Sequence, residues 1–253
     1  MPLDEATRAA RSFLKDTIRR RVNFARTDQS RGIPPPPAQT PCPAGSRTVP
    51  LPDPRGAAAF SRLSLADAIA RRESRREFSA RSLTLDEISF LLWAVQGVRR
   101  VLSPAVTLRT VPSAGARHAL ETYVCALRVE GLDTGIWRYR PLDHDLVFVR
   151  AVPDLPARVA DGCLGQSFAG EAAAVFAWTA VPYRMEWRYG LAAHKVILLD
   201  AGHAAQNLYL ACEAIGAGTC AIAAYDQEAM DALLGVDGED EFTIYMAPAG
   251  KRP

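Results

Sequence analysis

Between Val196 and Ile215, apolar and small residues fall on nearly every side of a 3.6-residue wheel. A helix that is apolar almost all round is covered by other elements or by a second subunit, so this pattern predicts a central helix. Gly216 supplies a left-handed stop after it, and Gly218 keeps the following turn compact. The apolar run from Thr219 to Ala224 predicts a buried strand. Asp200, His203 and Asn207 recur at i, i+3 and i+7 and form one polar stripe, which reads as hydrogen bonding inside the protein or between subunits. Upstream, residues 5 to 26 show an amphipathic helical pattern, with Phe13, Leu14, Ile18 and Val22 on one side and arginines on the other. Ser64 is placed to cap a helix running to Arg72. Thr84 with Glu87 forms a capping box for a second helix, which Gly97 closes. Leu120 to Val129 reads as a strand. IWRYR and LVFVR, either side of PLDHD, read as a hairpin with His144 solvated in its turn. A helix within Leu155 to Phe168 and strands at Ala173 to Ala180 and Phe242 to Gly250 complete the pattern. Helices and strands are interspersed without a βαβ beat, which predicts an α+β fold.

Composition adds little to this picture and removes several function classes. The chain has 253 residues, 49% hydrophobic and 23% charged, with a formal net charge of +2. That balance gives no reason to expect nucleic acid or an anionic membrane as partner. Half of the 18 prolines lie between residues 34 and 54. We therefore divide the chain into an N-terminal helix and Pro-rich arm, residues 1–60, and a folded domain, residues 61–253. The arm is expected to wrap a partner subunit rather than to serve as a flexible linker. The five cysteines are odd in number and lack C-x-x-C spacing, so they read as reduced thiols in a cytoplasmic protein. No secretory or membrane-spanning segment is recognisable.

Several chemical motifs are missing. There is no G-x-G-x-x-G after a strand, no phosphate-binding P-loop, no G-x-S-x-G, no H-E-x-x-H and no metal-ligand cluster, which sets aside a nicotinamide Rossmann site as well as hydrolytic and metal chemistry. What is present begins with Arg72-x-Ser74-x-Arg76 at a helix-to-helix junction. The two outer guanidiniums and the hydroxyl between them suit an anion, and taken alone the stretch reads equally as a solvated basic turn. Farther on come Pro112-Ser113-Ala114-Gly115, the stretch from Gly216 to Asp226, and Gly250-Lys251-Arg252.

In that order and spacing these pieces resemble the nitroreductase-like FMN-dependent oxidoreductases, from about Leu65 to the C-terminus. DAGHAAQNLYLACEAIGAGTCAIAAYD, GIWRYRPLDHDL and RTVPSAGA look most like the azoline dehydrogenase branch, the SagB or ThcOx type, which oxidises thiazolines or oxazolines in modified peptides. The resemblance implies a central, mainly antiparallel sheet flanked by helices, with the long helix at a homodimer interface and FMN at the seam. By position, Arg72 and Ser74 look like phosphate ligands, and Arg76 like a cation at the N1/C2-carbonyl edge of the flavin. Pro112 and Ser113 resemble a segment lent by the second subunit. Cys220 and Ala221 lie where a backbone N–H approaches flavin N5, and Lys251 and Arg252 look like further phosphate contacts.

Hydride would pass through N5, with the flavin carrying the chemistry. Tyr183, Trp187 and Tyr189 are candidates for the substrate mouth, with core packing as the alternative. Arg184 and Arg188 would face an acidic substrate or solvent. Some members of the branch use a Lys-Tyr pair just before the long helix. Here the nearest candidates are Arg188-Tyr189 and Lys195, so Tyr189 and Lys195 are the catalytic candidates, Lys195 serving as base only if desolvated. The expected activity is dehydrogenation of a heterocycle in a peptide or small molecule. Its alternatives are an NAD(P)H-dependent nitroreductase or quinone reductase, and a flavin-binding subunit of a biosynthetic complex.

Overall fold

The computed structural model describes residues 3–54 and 63–253. Nine strands and eight α-helices are described. The strands are β1 (Thr48–Pro50), β2 (Val98–Ser103), β3 (Val106–Arg109), β4 (Leu120–Ala126), β5 (Gly135–Arg140), β6 (Asp145–Arg150), β7 (Ala174–Ala180), β8 (Ala217–Thr219) and β9 (Phe242–Lys251). The helices are α1 (Glu5–Phe13), α2 (Leu65–Arg71), α3 (Leu85–Gln96), α4 (Leu155–Gly162), α5 (Ser167–Glu171), α6 (Tyr183–Tyr189), α7 (Ala193–Ala214) and α8 (Gln227–Leu234). Seven strands form one sheet in the order β1-β6-β5-β4-β7-β9-β8, every neighbouring pair antiparallel. This is the α+β architecture that the residue pattern predicts.

Strand alternation places a core on each side of the sheet. Phe176 and Trp178 of β7 face one way with Val124 and Trp137, against Leu91 and Leu92 of α3 and Ala201, Ala204 and Leu208 of α7. Val175 and Ala177 face the other way with Cys125 and Ile136, against Val159 of α4 and Met230 and Leu234 of α8. The capping box of α3 is formed, with the Thr84 hydroxyl accepting from Glu87 N–H and the Glu87 carboxylate accepting from Thr84 N–H. Gly216 has φ +65 just beyond α7, the left-handed stop expected there.

Several local expectations are corrected. The pattern over residues 5 to 26 is helical only to Phe13; Lys15 is extended, and two short 3-10 turns follow. The Asn23 side chain accepts from Ala25 N–H, a local bond that competes with a continuous helix. The strand expected over Thr219 to Ala224 lies upstream, as β8. Beyond it only Ile222 still pairs with β9, through Met246. His144 is not solvated: its Nδ1 meets Tyr139 OH at 2.9 Å and its Nε2 meets Ser89 Oγ at 2.9 Å. The β2–β3 hairpin and helix α6 had no counterpart in the sequence reading.

The Pro-rich segment packs along the rest of the chain, and β1 joins the sheet beside β6. Its anchor is a buried ion cluster. Glu121 of β4 pairs with Arg184 of α6 at 2.5 Å and Arg138 of β5 at 3.5 Å. It also accepts the Thr40 N–H at 2.8 Å. Arg184 is therefore neither a substrate contact nor solvated. Burial by itself raises the Glu121 carboxyl, but Arg184, Arg138 and the Thr40 N–H outweigh it and hold the group below its ordinary value of 4.5. A carboxylate held low adds stability above about pH 4.5, which is lost as the pH falls through the folded value. Glu121→Gln leaves two buried guanidiniums undercompensated and should cost about 3–5 kcal/mol in urea unfolding near neutral pH. The gap between variant and parent should shrink on acidification, and an unchanged gap would contradict this assignment.

Candidate functional site

α2 ends at Arg72, whose backbone turns extended, so residues 73–80 leave the helix as an open strand. Ser74 bridges to Thr219 of β8, and Arg75 N–H donates to Thr219 O at 3.0 Å. This crossing is close: a Cβ on Gly218 would lie 2.6 Å from Arg75 Cδ, so glycine admits the arginine stem. Tyr209 of α7 ties the two segments together. Its hydroxyl lies 2.9 Å from Ser74 Oγ and accepts the Ala221 N–H at 2.8 Å. The Arg72 guanidinium sits 5.4 Å over its ring.

The basic residues around this cluster divide into two groups. Lys251 pairs with the Glu87 carboxylate and donates to Ile215 O at 3.0 Å. Arg252 lies 3.4 Å from Glu213 and donates to Gly216 O at 3.4 Å. Both sit at the C-terminal end of α7, where cations complement the helix dipole. Arg75 approaches Glu213 at 3.7 Å and Glu73 at 2.7 Å. In contrast, Arg72 and Arg76 pair with no carboxylate among the described residues. Arg76 lies 5.9 Å over the Phe168 ring. The structure thus gathers Arg72, Ser74, Ala221 and buried Cys220, puts Lys251 and Arg252 at the adjoining helix end, and leaves Arg72 and Arg76 as unneutralised cations.

Pro112 and Ser113 belong to a second cluster. Asp200 of α7 accepts the Ala114 N–H at 3.3 Å, and Ser113 Oγ accepts the His118 N–H at 2.9 Å. Burial raises the Asp200 carboxyl, only partly offset by its bonds to Ser113 and Ala114. Gly115 has φ +60, and a Cβ there would lie 2.5 Å from Tyr189 OH. Tyr189 therefore belongs to this turn. Lys195 does not: its Nζ donates to Leu14 O at 2.6 Å.

Asp200 and Tyr209 are separated by nine residues, about 13.5 Å along α7 and about two and a half turns, on opposite sides of the helix. Within one chain the two clusters therefore face different sides of α7. Trp187 and Tyr183 face the N-terminal segment instead of a cleft, bonding Ile33 O at 2.8 Å and Asp28 at 2.9 Å.

Tyr209 was not among the residues singled out by sequence. It reads as one more apolar position on the α7 wheel, and only the approach of residues 72–76 gives it a role. Glu213 was missed because its partners, Arg75 and Arg252, are distant in the sequence.

Residues 69–251 match the sequence profile of the nitroreductase family. A protein of Methanocaldococcus jannaschii, provisionally described as a nitroreductase, is 30% identical over 75% of this chain and 92% of its own length. A crystal structure from Ralstonia eutropha, described in the same terms, aligns with TM-score 0.68 and 28% identity over 87% of this chain and 99% of that one. Another, from Anabaena variabilis, aligns with TM-score 0.64 and 26% identity over 75% of this chain. This chain spans only 39% of the length of that one. The E. coli microcin synthetase McbBCD complex with truncated pro-MccB17 bound contains a chain that shares the fold. It aligns at 19% identity and TM-score 0.60, over 77% of this chain and 76% of that one. The chain belongs to the nitroreductase family of oxidoreductases.

Proposed function

We propose that this protein is an FMN-dependent oxidoreductase working as a homodimer, each flavin lying between the Arg72 cluster of one subunit and the Pro112–Ser113 turn of the other. The observation that carries the reading is the unneutralised Arg72 guanidinium beside the Ser74 hydroxyl, held on the Tyr209 ring. A phosphate supplies the anion that this pair lacks. The exposed side of α7 supports the dimer. Leu198 and Leu199 are 47% and 54% exposed on it, and next to Gly202 there is space where a side chain would otherwise stand. Such a stripe suits burial against its own copy.

FMN, when bound, supplies hydride acceptance and donation at N5. The chain's own residues do the rest. Arg72 and Ser74 bind the phosphate, with Arg252 and Lys251 holding the adjoining helix end. Arg76 brings positive charge to the cleft, which favours an electron-rich reduced ring. Asp200 and Tyr189 brace the Pro112–Gly115 turn. The Ala221 N–H is donated to Tyr209, so Tyr209 enters the site together with Ala221 and Cys220.

Two substrates are in view. Dehydrogenation of an azoline in a modified peptide rests on the sequence blocks around α7 and β5, and the microcin synthetase likeness is one of fold alone. Reduction of a nitro compound or quinone with NAD(P)H draws on a geometric observation. The base of the first reading is not assembled, because Arg188 precedes Tyr189 and Lys195 is turned to Leu14 O.

Purified protein should show the visible bands of oxidised flavin. Arg72→Ala should weaken FMN binding by about tenfold to a hundredfold, read by fluorescence titration; full affinity in that variant rules out the site. Tyr209→Phe leaves Ala221 N–H and Ser74 without their shared partner and should lower stability by about 1 kcal/mol while also weakening FMN. Anaerobic mixing with NADPH separates the two substrates: rapid bleaching favours the reductase, and a flavin that stays oxidised favours the azoline reading.

A further inference from the structure

The N-terminal segment, outside the matched core, builds a cavity with it. α1 and the 3-10 turn after it lie against the start of α7 and enclose about 530 Å³. Cavities of this order hold small molecules. Phe13, Ile18 and Leu191 make its apolar wall, and Arg21 and Lys195 add two cations. Phe13 and Leu191 remain 46% and 52% exposed, so the apolar wall is not consumed by packing within the chain.

The charges are also unspent. Lys195 Nζ donates to Leu14 O at 2.6 Å, which fixes the ammonium at the C-terminal end of α1 and leaves its other two N–H donors. Neither Lys195 nor Arg21 pairs with a carboxylate among the described residues. His194, also on the wall, is bonded to Glu186 at 2.7 Å, so that carboxylate is already engaged. An apolar trough bordered by two such cations complements an anion on an apolar body, and a neutral apolar molecule would leave both charges unanswered.

We propose that this cavity binds an apolar carboxylate, a chain or ring ending in a single carboxyl group, with Lys195 and Arg21 holding the carboxylate. Lys195 is then a ligand-binding cation rather than a base. The site depends on the N-terminal segment as much as on the family core, and it confers on this chain a ligand preference that the core by itself does not have. The inference does not rest on the flavin reading, and its test uses neither flavin nor turnover.

The test is calorimetric titration of the full chain with octanoate and, separately, octanamide, which match in length and differ in charge. Octanoate should bind saturably, and octanamide about fivefold or more weakly. Lys195→Met and Arg21→Met should each weaken octanoate by about fivefold and leave octanamide unchanged. Unaltered far-UV spectra and unfolding midpoints would show that both variants fold. Equal affinity for the two probes, or octanoate binding indifferent to both substitutions, overturns the proposal. So does the absence of saturable heat, as expected if a second copy of the chain fills the cavity.

Discussion

One helix carries both halves of the candidate site, and its geometry keeps them apart. α7 packs Ala201, Ala204, Ala205 and Leu208 against α3 and the sheet, which leaves it no freedom to turn. Asp200 and Tyr209 therefore stand at fixed heights on opposite sides of a rigid rod. Each collects its own loop: Asp200 holds the Pro112–Gly115 turn, and Tyr209 holds residues 72–76 against β8. The small residues that let α7 approach its neighbours closely are part of the same design, because bulk there would shift both loops at once.

Much of this frame is legible in the residue pattern, and what is not has a common cause. α7, the α3 capping box, the β5–β6 hairpin and the Gly216 stop are each set by interactions within a few residues, so periodicity and local chemistry reveal them. The features that escape depend on distant partners. β8 is only three residues long and pairs through backbone with β9; Gly218 belongs in it because Arg75 crosses there. Helix α6 is held by Trp187 beneath Arg117 and by the Arg184–Glu121 pair, contacts that no window over Tyr183–Tyr189 contains. Tyr209 is hidden for the same reason. Of the site residues named from resemblance, Arg72, Ser74, Cys220 and Ala221 fall near one another while Pro112 and Ser113 stand in a separate cluster, and resemblance did not show which of the cations are already neutralised.

The N-terminal segment shows how a proline-rich stretch can become ordered. Proline has no N–H to donate, and its rigid backbone leaves neighbouring carbonyls without partners in regular structure. Here buried arginines supply the donors. Arg109 reaches Ala38 O at 2.6 Å, and Arg138 reaches Thr40 O and Pro41 O, each at 2.8 Å. Burying guanidiniums is unfavourable unless their charge is answered, and Glu121 answers two of them at the place where the segment crosses the sheet. The residues before it have their own attachment, Trp187 donating to Ile33 O and Tyr183 to Asp28.

The chemistry open to the site follows from which groups are free to move a proton. Oxidising a carbon–heteroatom ring by hydride loss requires a proton to leave as well, and a protein base normally takes it. Arg188 cannot, since a guanidinium keeps its proton at any working pH. Lys195 is directed to the backbone carbonyl of Leu14. Tyr189 remains beside the turn as a hydroxyl that can orient or pass on a proton but has no strong base behind it. A reductase that passes hydride from a nicotinamide to an acceptor would make no such demand on a side-chain base. Neither Arg188 nor Lys195 is thus placed as that base, so an azoline oxidised here would have to lose its proton to water or to a group the substrate itself brings.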